Sequence, residues 1–508
     1  SIVKFQDVIN QFDWAAKWAV YSPHKTAFKE HETGRTLTYN ELNQLANRLA
    51  NRMADVYQIK KGDRIAILAE NCSEYLILFA AAQKTGCILV PVNYRLAGAE
   101  INFLLENSDP RLVIIESKFG CKLKESAFLE NIPFRISMSD LADLCDAAVQ
   151  TPADDFFKNT PLQEDDPVFI LYTSGTTGFP KGALYTHKML FWNSLNTALS
   201  LSVNSESRTV NCMPPFHTGG WNVLITPFFH HGGYACQIKS FEPKTVLQLI
   251  EKEKVTIFMG VPTMLKMMAD LPEFQIADLS SLLYVIVGGE PMPPALIEQW
   301  HENGIPVRQG FGMTEVGPNL TSLHQSDAVR KIGSIGRPNF YVETKILDNN
   351  EKDCPPNVAG ELLLRGPVVT PGYWKNKAAT EKAFSNGWFK TGDRVKQDEE
   401  GYLFVVDRIK NMYISGGENV YPAEIERVLL AHPSVREAAV VGVPDKKWGE
   451  VGKAFIVIQE SVTETELLDY CRSKLAKFKV PKSVVFWDAL PKNETGKINR
   501  KELKNKHV

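Results

Sequence analysis

The chain has 508 residues, and its 57 Lys and Arg nearly balance its 59 Asp and Glu, for a formal net charge of −2. This balance gives no indication of a nucleic-acid partner or an anionic membrane surface, and the length predicts more than one domain. The eight cysteines are scattered without a C-x-x-C spacing, which predicts reduced thiols in a cytoplasmic protein rather than disulfides or a zinc site.

The first third of the chain alternates predicted helices and strands. Thr38 and Glu41 form a capping box that starts a helix. The elements predicted after it are strand 64–69, helix 73–85, strand 88–92, helix 98–107 and strand 112–115. Strands that are apolar on both faces and alternate with helices predict a parallel, doubly wound sheet covered on both sides.

The most informative segment is Tyr172-Thr-Ser-Gly-Thr-Thr-Gly-Phe-Pro-Lys-Gly182, which lies between two β-type runs at 168–173 and 183–186. Its glycines allow backbone N–H groups to approach phosphate oxygens, while its hydroxyls and lysine can donate to them. It is not a Walker loop, because Pro180 stands where that motif needs glycine. The segment predicts a phosphate-binding loop rather than a mobile linker.

Residues 209–238 carry no Asp, Glu, Lys or Arg and could be mistaken for a membrane span. A spanning helix needs about 20 mostly apolar residues. Pro214, Pro215, Pro227 and paired glycines interrupt this segment. We therefore expect buried strands and loops that line an apolar cavity, and no integral membrane segment.

The alternation then resumes, with helices predicted at 244–252, 262–270 and 293–301 and strands at 255–259, 283–287 and 306–308. Each strand runs into a glycine-bearing loop, at Gly260, at Gly288-Gly-Glu-Pro291 and at Gln309-Gly-Phe-Gly-Met-Thr-Glu315. Ligands bind beyond the carboxyl ends of strands in such sheets, so the three loops predict one common site.

Two further units are predicted toward the end of the chain. Short strands with Gly and Pro turns at 333–406 predict a small β-rich subdomain. After Asp407-Arg-Ile-Lys410, a compact α/β unit follows with helices 422–431 and 464–475 and strands 437–443, 452–459 and 483–487. We expect one domain at 1–409 and a second at 410–508.

Six segments, in order, resemble motifs of the adenylate-forming acyl-CoA synthetases, a family that also includes luciferases and the adenylation domains of peptide synthetases. They are the phosphate loop 172–182, Gln309–Glu315, Trp388-Phe-Lys-Thr-Gly-Asp393, Asp407–Lys410, Ile414-Ser-Gly-Gly-Glu-Asn419 and Pro491-Lys-Asn-Glu-Thr-Gly-Lys-Ile498. The resemblance implies an α/β fold: a large N-terminal domain of doubly wound sheets with a small β-barrel-like subdomain, and a smaller, mobile α+β C-terminal domain.

The resemblance also implies a two-step reaction that uses ATP, Mg²⁺ and coenzyme A. A carboxylate first attacks the α-phosphate of ATP, and CoA then displaces AMP from the acyl-adenylate. Catalysis of the first step needs positioning and cations rather than a protein nucleophile. Residues implied to hold the phosphates are Thr173, Ser174, Gly175, Thr176, Thr177, Gly178 and Lys181, with Thr176 and Glu315 as magnesium contacts.

Further roles follow from the same resemblance. Thr314 is expected near the α-phosphate, and Lys497 is expected to bridge the attacking carboxylate and that phosphate. Residues implied to contact adenine and ribose are Gly289, Glu290, Pro291, Gln309, Gly310, Phe311, Gly312, Met313, Asp393 and Arg408. Ser415, Gly416, Gly417 and Glu418 are implied to line a pantetheine tunnel after the C-terminal domain rotates about a hinge at Lys410.

The acid pocket is less determined by the sequence. His217 stands where peptide-synthetase domains carry Asp, which counts against an amino-acid substrate. The resemblance makes His217 a pocket wall and a gate for the thiol, and a packed core histidine is the alternative. Other candidate wall residues are Trp221, Asn222, Met259, Gly260, Val261, Gly288 and Met313.

The favoured interpretation is a medium- or long-chain fatty-acid–CoA ligase that acts as a monomer or homodimer on small molecules. Three alternatives stay open. The first is an aryl-acid CoA ligase of the coumarate or benzoate type, and the second is a fatty acyl-AMP ligase. The third is a catalytically inactive nucleotide-binding module, against which Lys181, Glu315, Asp393, Arg408 and Lys497 all count.

Overall fold

The computed structural model describes residues 11–123, 126–145, 155–173, 180–289, 292–415, 418–445, 448–475, 477–493 and 496–505. The first elements are α1 (Trp14–Tyr21), β1 (Thr26–Glu30), β2 (Thr36–Thr38), α2 (Tyr39–Asp55), β3 (Arg64–Leu68), α3 (Ser73–Thr85), β4 (Ile88–Pro91), α4 (Gly98–Ser108), β5 (Leu112–Ile115), β6 (Phe134–Ser137), α5 (Met138–Cys145), β7 (Pro167–Thr173), β8 (Lys181–Thr186), α6 (His187–Leu201), β9 (Arg208–Asn211), α7 (Ile225–His230) and β10 (Tyr234–Gln237).

Two sheets enclose α3, with strand orders β6-β5-β3-β4-β7-β8 and β2-β1-β10-β9. Leu78, Phe79 and Ala80 of α3 are fully buried, because the helix contacts β4 of one sheet and β1 of the other. The predicted capping box is present at the start of α2, where the Thr38 hydroxyl accepts from the backbone N–H of Glu41. The doubly wound architecture is confirmed.

The structure differs from the sequence prediction at two places in this half. The sheets are mixed rather than purely parallel, since β8 runs antiparallel to β7. A short loop joins these two strands, and only an antiparallel pair can be joined without a crossover. The segment predicted as strands and loops at 209–238 also contains helix α7, in which Pro227 lies in the first turn, where proline is tolerated.

A third sheet has the order β11-β12-β13-β14-β15, with β11, β12 and β13 parallel. Helix α8 and the next two helices cover the core around Phe258 and Trp300. The elements of this part are α8 (Pro243–Lys252), β11 (Ile257–Gly260), α9 (Pro262–Ala269), β12 (Tyr284–Val287), α10 (Pro294–Glu302), β13 (Val307–Phe311), β14 (Thr321–Ser322) and β15 (Arg337–Pro338).

The predicted β-rich unit is an antiparallel sheet of order β16-β17-β19-β18, with β20 also paired to β19. Its elements are β16 (Glu343–Leu347), β17 (Gly360–Arg365), α11 (Lys377–Ala383), β18 (Phe384–Ser385), β19 (Trp388–Gln397) and β20 (Leu403–Arg408). Val368, Phe389 and Leu403 lie in the core that this sheet buries.

The C-terminal unit has the strand order β22-β21-β24-β23, with β25 parallel to β24. Its own core includes Tyr413, Ile425 and Leu467. Its elements are β21 (Tyr413–Ser415), β22 (Glu418–Val420), α12 (Pro422–Leu430), β23 (Val435–Asp445), β24 (Gly449–Ile458), α13 (Glu464–Lys474), β25 (Ser483–Phe486) and α14 (Arg500–Asn505). Among all described residues, no helix is long and apolar enough to cross a membrane.

Candidate active site

A cleft of about 810 Å³ lies at the carboxyl ends of β11, β12 and β13. All three glycine-bearing loops contribute to it, the first through the neighbours of Gly260 and the second through Gly288 and Gly289. The third contributes Gln309, Gly310 and Phe311, which the structure places at the end of β13 rather than in the predicted loop, and Gly312, Met313, Thr314 and Glu315 after it. The common site predicted from these loops is therefore formed.

The loop after β13 is shaped by Gly312. A Cβ atom on this residue would lie 1.4 Å from the carbonyl oxygen of Pro318, so only glycine fits. The chain then enters a short 3₁₀ turn, Thr314–Val316, whose side chains are buried. This close approach of two backbone segments directs the loop along the cleft.

Glu315 is a buried carboxylate that accepts hydrogen bonds from the Tyr373 hydroxyl at 3.0 Å and the Thr173 hydroxyl at 3.4 Å. Burial, with a contribution from Glu315, raises the pKa of Tyr373, so its phenol remains a donor. The bond to Thr173 positions the carboxylate where the predicted phosphate loop begins. A carboxylate beside hydroxyl groups is a ligand set that suits Mg²⁺ next to phosphate.

The two ends of the phosphate loop are held by the β7–β8 hairpin, in which Thr173 pairs with Lys181. The ammonium of Lys181 lies 5.4 Å from the centre of the Tyr373 ring. The predicted residues that lie outside the described part of the chain are Ser174, Gly175, Thr176, Thr177, Gly178, Glu290, Pro291, Gly416 and Gly417.

Asp393 and Arg408 face each other across β19 and β20, and the Arg408 Nε lies 2.8 Å from Oδ1 of Asp393. Asp393 is only 2% exposed, and its Oδ2 has no hydrogen-bond partner among the described residues. Burial raises the pKa of Asp393, although Arg408, Lys497 and Lys410 act in the opposite direction. Arg408 lines the cleft, whereas its ion-pair partner Asp393 does not.

Lys497 comes from the C-terminal unit and lies in the same cleft. Its N–H donates to Oδ1 of Asn493 at 2.9 Å, and the Asn493 N–H donates to the Lys497 carbonyl at 2.7 Å. Burial, with a smaller contribution from the Lys497 charge, lowers the pKa of His217 to about 4. Side chains far apart in sequence, Glu315, Arg408, His217 and Lys497, thus surround one space. Ser415 is buried in β21 and does not line the cleft.

The apolar residues of the cleft, here called the apolar lobe, include Leu201, Cys212, Met213, Phe216, Val223, Met259, Val261, Met264, Ile286, Gly288 and Met313. Three of the predicted wall residues, Trp221, Asn222 and Gly260, are not part of it. The Trp221 ring packs against Phe79 and Phe169 instead, with its Nε1–H donated to the Pro215 carbonyl. Ile286 lines the lobe but was not among the predicted wall residues. The signal for it was the predicted Gly288, which lies two residues away and therefore on the same face of the strand.

Profiles of the family of AMP-binding enzymes match residues 15–374, and those of the AMP-binding enzyme C-terminal domain match residues 424–497. The chain belongs to this family. It is 38% identical over 495 residues to feruloyl-CoA synthase of Amycolatopsis sp, covering 97% of this chain and 98% of that protein. It is 37% identical over 495 residues to long-chain-fatty-acid–CoA ligase FadD13 of Mycobacterium tuberculosis, covering 96% and 97%.

Among solved structures of this family, o-succinylbenzoate CoA synthetase (MenE) from Bacillus subtilis in complex with its acyl-adenylate intermediate has a TM-score of 0.86, at 34% identity and coverage of 97% and 98%. A double mutant of the same enzyme, bound with the product analogue OSB-NCoA, has a TM-score of 0.71 at the same identity and coverage. The arrangement of this chain is closer to that of the acyl-adenylate complex.

As a member of this family, the chain is a CoA ligase for an acyl or aryl acid. Adenylate-forming CoA ligases use ATP, Mg²⁺ and CoA, the cosubstrates that the sequence resemblance implied. The relatives do not decide the acid, because one is a feruloyl-CoA synthase and another a long-chain-fatty-acid–CoA ligase.

Proposed function

We propose that this CoA ligase activates a medium- or long-chain fatty acid. The carboxylate attacks the α-phosphorus of ATP and displaces pyrophosphate; the CoA thiolate then attacks the acyl carbonyl carbon and displaces AMP. We choose a fatty acid because Met213, Met259 and Met264 line the apolar lobe together with aliphatic side chains. Methionine is flexible and adapts to irregular apolar ligands, which suits an alkyl chain.

In this proposal the first step is carried out by residues that surround the cleft. Lys497 would bridge the carboxylate and the α-phosphate, with Thr314 beside that phosphate, and Glu315 and Thr176 would hold Mg²⁺, which would offset negative charge on the phosphates. Asp393 and Arg408 take the ribose, and Gly289 with the loop 309–313 takes adenine. The phosphate loop, with Thr173 and Lys181 at its ends, takes the remaining phosphates.

The second step needs a different arrangement of the two proposed domains, 1–409 and 410–508. The 3₁₀ turn Ile409–Asn411 separates β20 from β21 and contains the proposed hinge Lys410. Rotation there would withdraw Lys497 and bring Ser415, Gly416, Gly417 and Glu418 toward the cleft, where they would flank pantetheine.

One observation favours an aryl acid as the second candidate. The cleft is also lined by the polar residues Asn319, Ser322 and Asn339. These groups could pair with a hydroxyl on an aromatic ring, and a relative of this chain is a feruloyl-CoA synthase.

A panel of acids tests the proposal. Pyrophosphate release and thioester formation would be measured with linear C6 to C16 acids, ferulate, coumarate and benzoate, with and without CoA. We expect the highest kcat/KM for a linear acid and formation of its thioester. A tenfold preference for ferulate or benzoate would contradict the fatty-acid proposal, and adenylate without thioester for every acid would identify an acyl-AMP ligase.

A cavity variant sharpens this test. Ile286→Trp should fill the lobe and shift the preference among linear acids toward the shorter ones, because Ile286 lines the lobe on β12. Ile286→Val, which removes one methylene, is the control and should leave the order of preference unchanged.

A further inference from the structure

The side chain of His217 is fixed by the backbone that follows it. The N–H of Gly219 donates to Nδ1 of His217 at 3.0 Å, at the start of the 3₁₀ turn Thr218–Gly220. A Cβ atom on residue 219 would lie 3.1 Å from that same nitrogen, so glycine permits the close approach. The ring is therefore held by one nitrogen, and His217 lines the cleft.

This contact determines the tautomer of the ring. A nitrogen that accepts from a backbone N–H must present its lone pair, so the proton of the neutral imidazole is on Nε2. A proton on Nδ1 would point directly at the hydrogen of Gly219. The ring then has one donor left for a ligand and no free acceptor.

The surroundings keep the ring neutral. Burial is the main cause that lowers the pKa of His217 to about 4, and the positive charge of Lys497 adds to it. Another cation of the cleft, Arg95, has its guanidinium 5.5 Å from the centre of the ring of Phe216, the residue before His217. No carboxylate forms an ion pair with His217 among the described residues. Neither the positive nor the Nδ1-protonated form is favoured here.

We propose that His217 is a fixed Nε2–H donor to an oxygen of the reacting carboxyl group, and that it is neither a general base for the thiol nor only a steric gate. In the second step the carbonyl oxygen gains negative charge as the thiolate sulfur bonds to carbon. The Nε2–H group would stabilise that charge until the C–O bond to AMP breaks and the carbonyl reforms. The proton stays on Nε2 throughout, and the thiol proton goes to solvent.

The inference rests on the acid–CoA ligase reaction, but not on which acid is used. A readout without turnover tests the tautomer directly. In ¹⁵N-histidine-labelled enzyme, the His217 signals are identified by their loss in His217→Gln. We expect the Nε2–H pattern, unchanged from pH 5.5 to 8. An Nδ1–H pattern, or titration near pH 6.5, would overturn the proposal even if the enzyme is active.

The donor role is tested by two variants of similar size. His217→Gln keeps an N–H donor, whereas His217→Leu removes it. With acyl-AMP and CoA supplied, we expect the Leu variant to lose about 10²–10³ in rate, as for other preorganised donors to an oxyanion, and the Gln variant to retain most of it. Equal rates close to that of the wild type in both variants would indicate a steric role, and equally large losses in both would indicate a base.

Thermal melts of both variants separate these outcomes from a folding defect. The ¹⁵N spectrum of the wild type determines the tautomer even if a variant does not fold. If the wild type forms no thioester from any acid, the proposed ligase function is wrong. The proposed tautomer of His217 is tested separately, because it depends only on the ¹⁵N spectrum.

Discussion

The carboxylate of Asp393 is 2% exposed, and burial raises its pKa in spite of the ion pair with Arg408. A raised pKa means that the folded protein binds the proton more tightly than the unfolded chain does. The stability that this provides is present below the unfolded pKa and is lost as the pH rises through the folded pKa. At neutral pH the ionised carboxylate is therefore a cost to folding.

We predict that Asp393→Asn raises the melting temperature at pH 7, and that this gain shrinks as the pH falls toward 4. Arg408 is 40% exposed in its side chain and can be solvated without its partner. Affinity for AMP should fall, since a charge-assisted hydrogen bond contributes about 1.5–3 kcal/mol. Melts from pH 4.5 to 7.5 and AMP titrations would measure both effects.

Asp398→Asn is the control, for which we expect the opposite change in melting temperature at pH 7. Its ion pair with Lys331, at 2.7 Å, is among the contacts that lower the pKa of Asp398, so this variant should be less stable at neutral pH. Unchanged AMP affinity in Asp393→Asn would remove Asp393 from the proposed ribose site.

Lys497 is exposed, yet its charge acts on His217, which lines the cleft, and on Asp393, the ion-pair partner of Arg408. We predict that Lys497→Ala slows acyl-AMP formation by about 10²–10³, because a cation at the developing phosphoryl charge is lost. Thioester formation from supplied acyl-AMP should be nearly unaffected. Lys501→Ala, on the exposed start of α14, is the control, and equal loss of both half-reactions would contradict the assignment.

At the scale of elements, the loop after β13 depends on Gly312, whereas Gly288 after β12 has open space around its Cβ position. The nearest atom there would be the Gly310 oxygen at 3.8 Å. We predict that Gly312→Ala destabilises the protein by about 1–3 kcal/mol or more through the clash with Pro318, and that it loses AMP binding. Gly288→Ala should keep its melting temperature and only narrow the acid lobe.

Melting curves and AMP titrations of the two glycine variants would test this difference. Normal AMP binding by Gly312→Ala at an unchanged melting temperature would show that the loop does not need the observed backbone contact. Loss of folding in Gly288→Ala would show that the space beside β12 is not available.

Elements with a strong local pattern were predictable from the sequence. Helix α3 and strand β5 have the predicted bounds, because their apolar runs are flanked by clear breaks. Strand β1 was not predicted, since it contains Lys29 and Glu30. Lys29 is accommodated by an ion pair with Glu253 at 2.6 Å, a contact that no local pattern could indicate.

In the candidate site, too, features set by neighbouring residues were predictable, and features set by distant residues were not. The motifs located the strand ends and the glycine loops, because those features are encoded within a few neighbouring residues. The sequence placed Trp221 in the acid wall, because it lies four residues after His217 in one loop. Its true neighbours, Phe79 and Phe169, lie far away in sequence, so only the packing of two sheets assigns Trp221 to the core.

At the scale of the whole molecule, the two parts meet across the cleft. Asp407, before the proposed hinge, accepts from the backbone N–H of Ala423 in α12 at 2.8 Å. The closer likeness to the MenE acyl-adenylate complex than to the product-analogue complex fits an arrangement in which Lys497 lies in the cleft. In the proposed mechanism this arrangement forms the adenylate, and the second step uses the rotated one.

The hinge proposal therefore makes a prediction that separates the two half-reactions. Lys410 lies in the 3₁₀ turn Ile409–Asn411, and domain rotation would require its backbone angles to change. Proline fixes φ near −65° and restricts the preceding Ile409. We predict that Lys410→Pro forms acyl-AMP at a near-normal rate but transfers the acyl group to CoA slowly, because the present arrangement is retained.

Lys410→Ala is the matched control, since it removes the same side chain and leaves the backbone free; it should transfer to CoA faster than the proline variant. Rapid-quench measurement of each half-reaction, together with a thermal melt, decides between the explanations. If the alanine and proline variants transfer equally slowly, the ammonium group matters rather than the backbone. If Lys410→Pro loses both half-reactions and melts at a lower temperature, the substitution damages the fold, and residue 410 is not a hinge. Only a selective loss of transfer in the proline variant fits rotation about this turn, because in the proposed mechanism adenylation uses Lys497 in its present position.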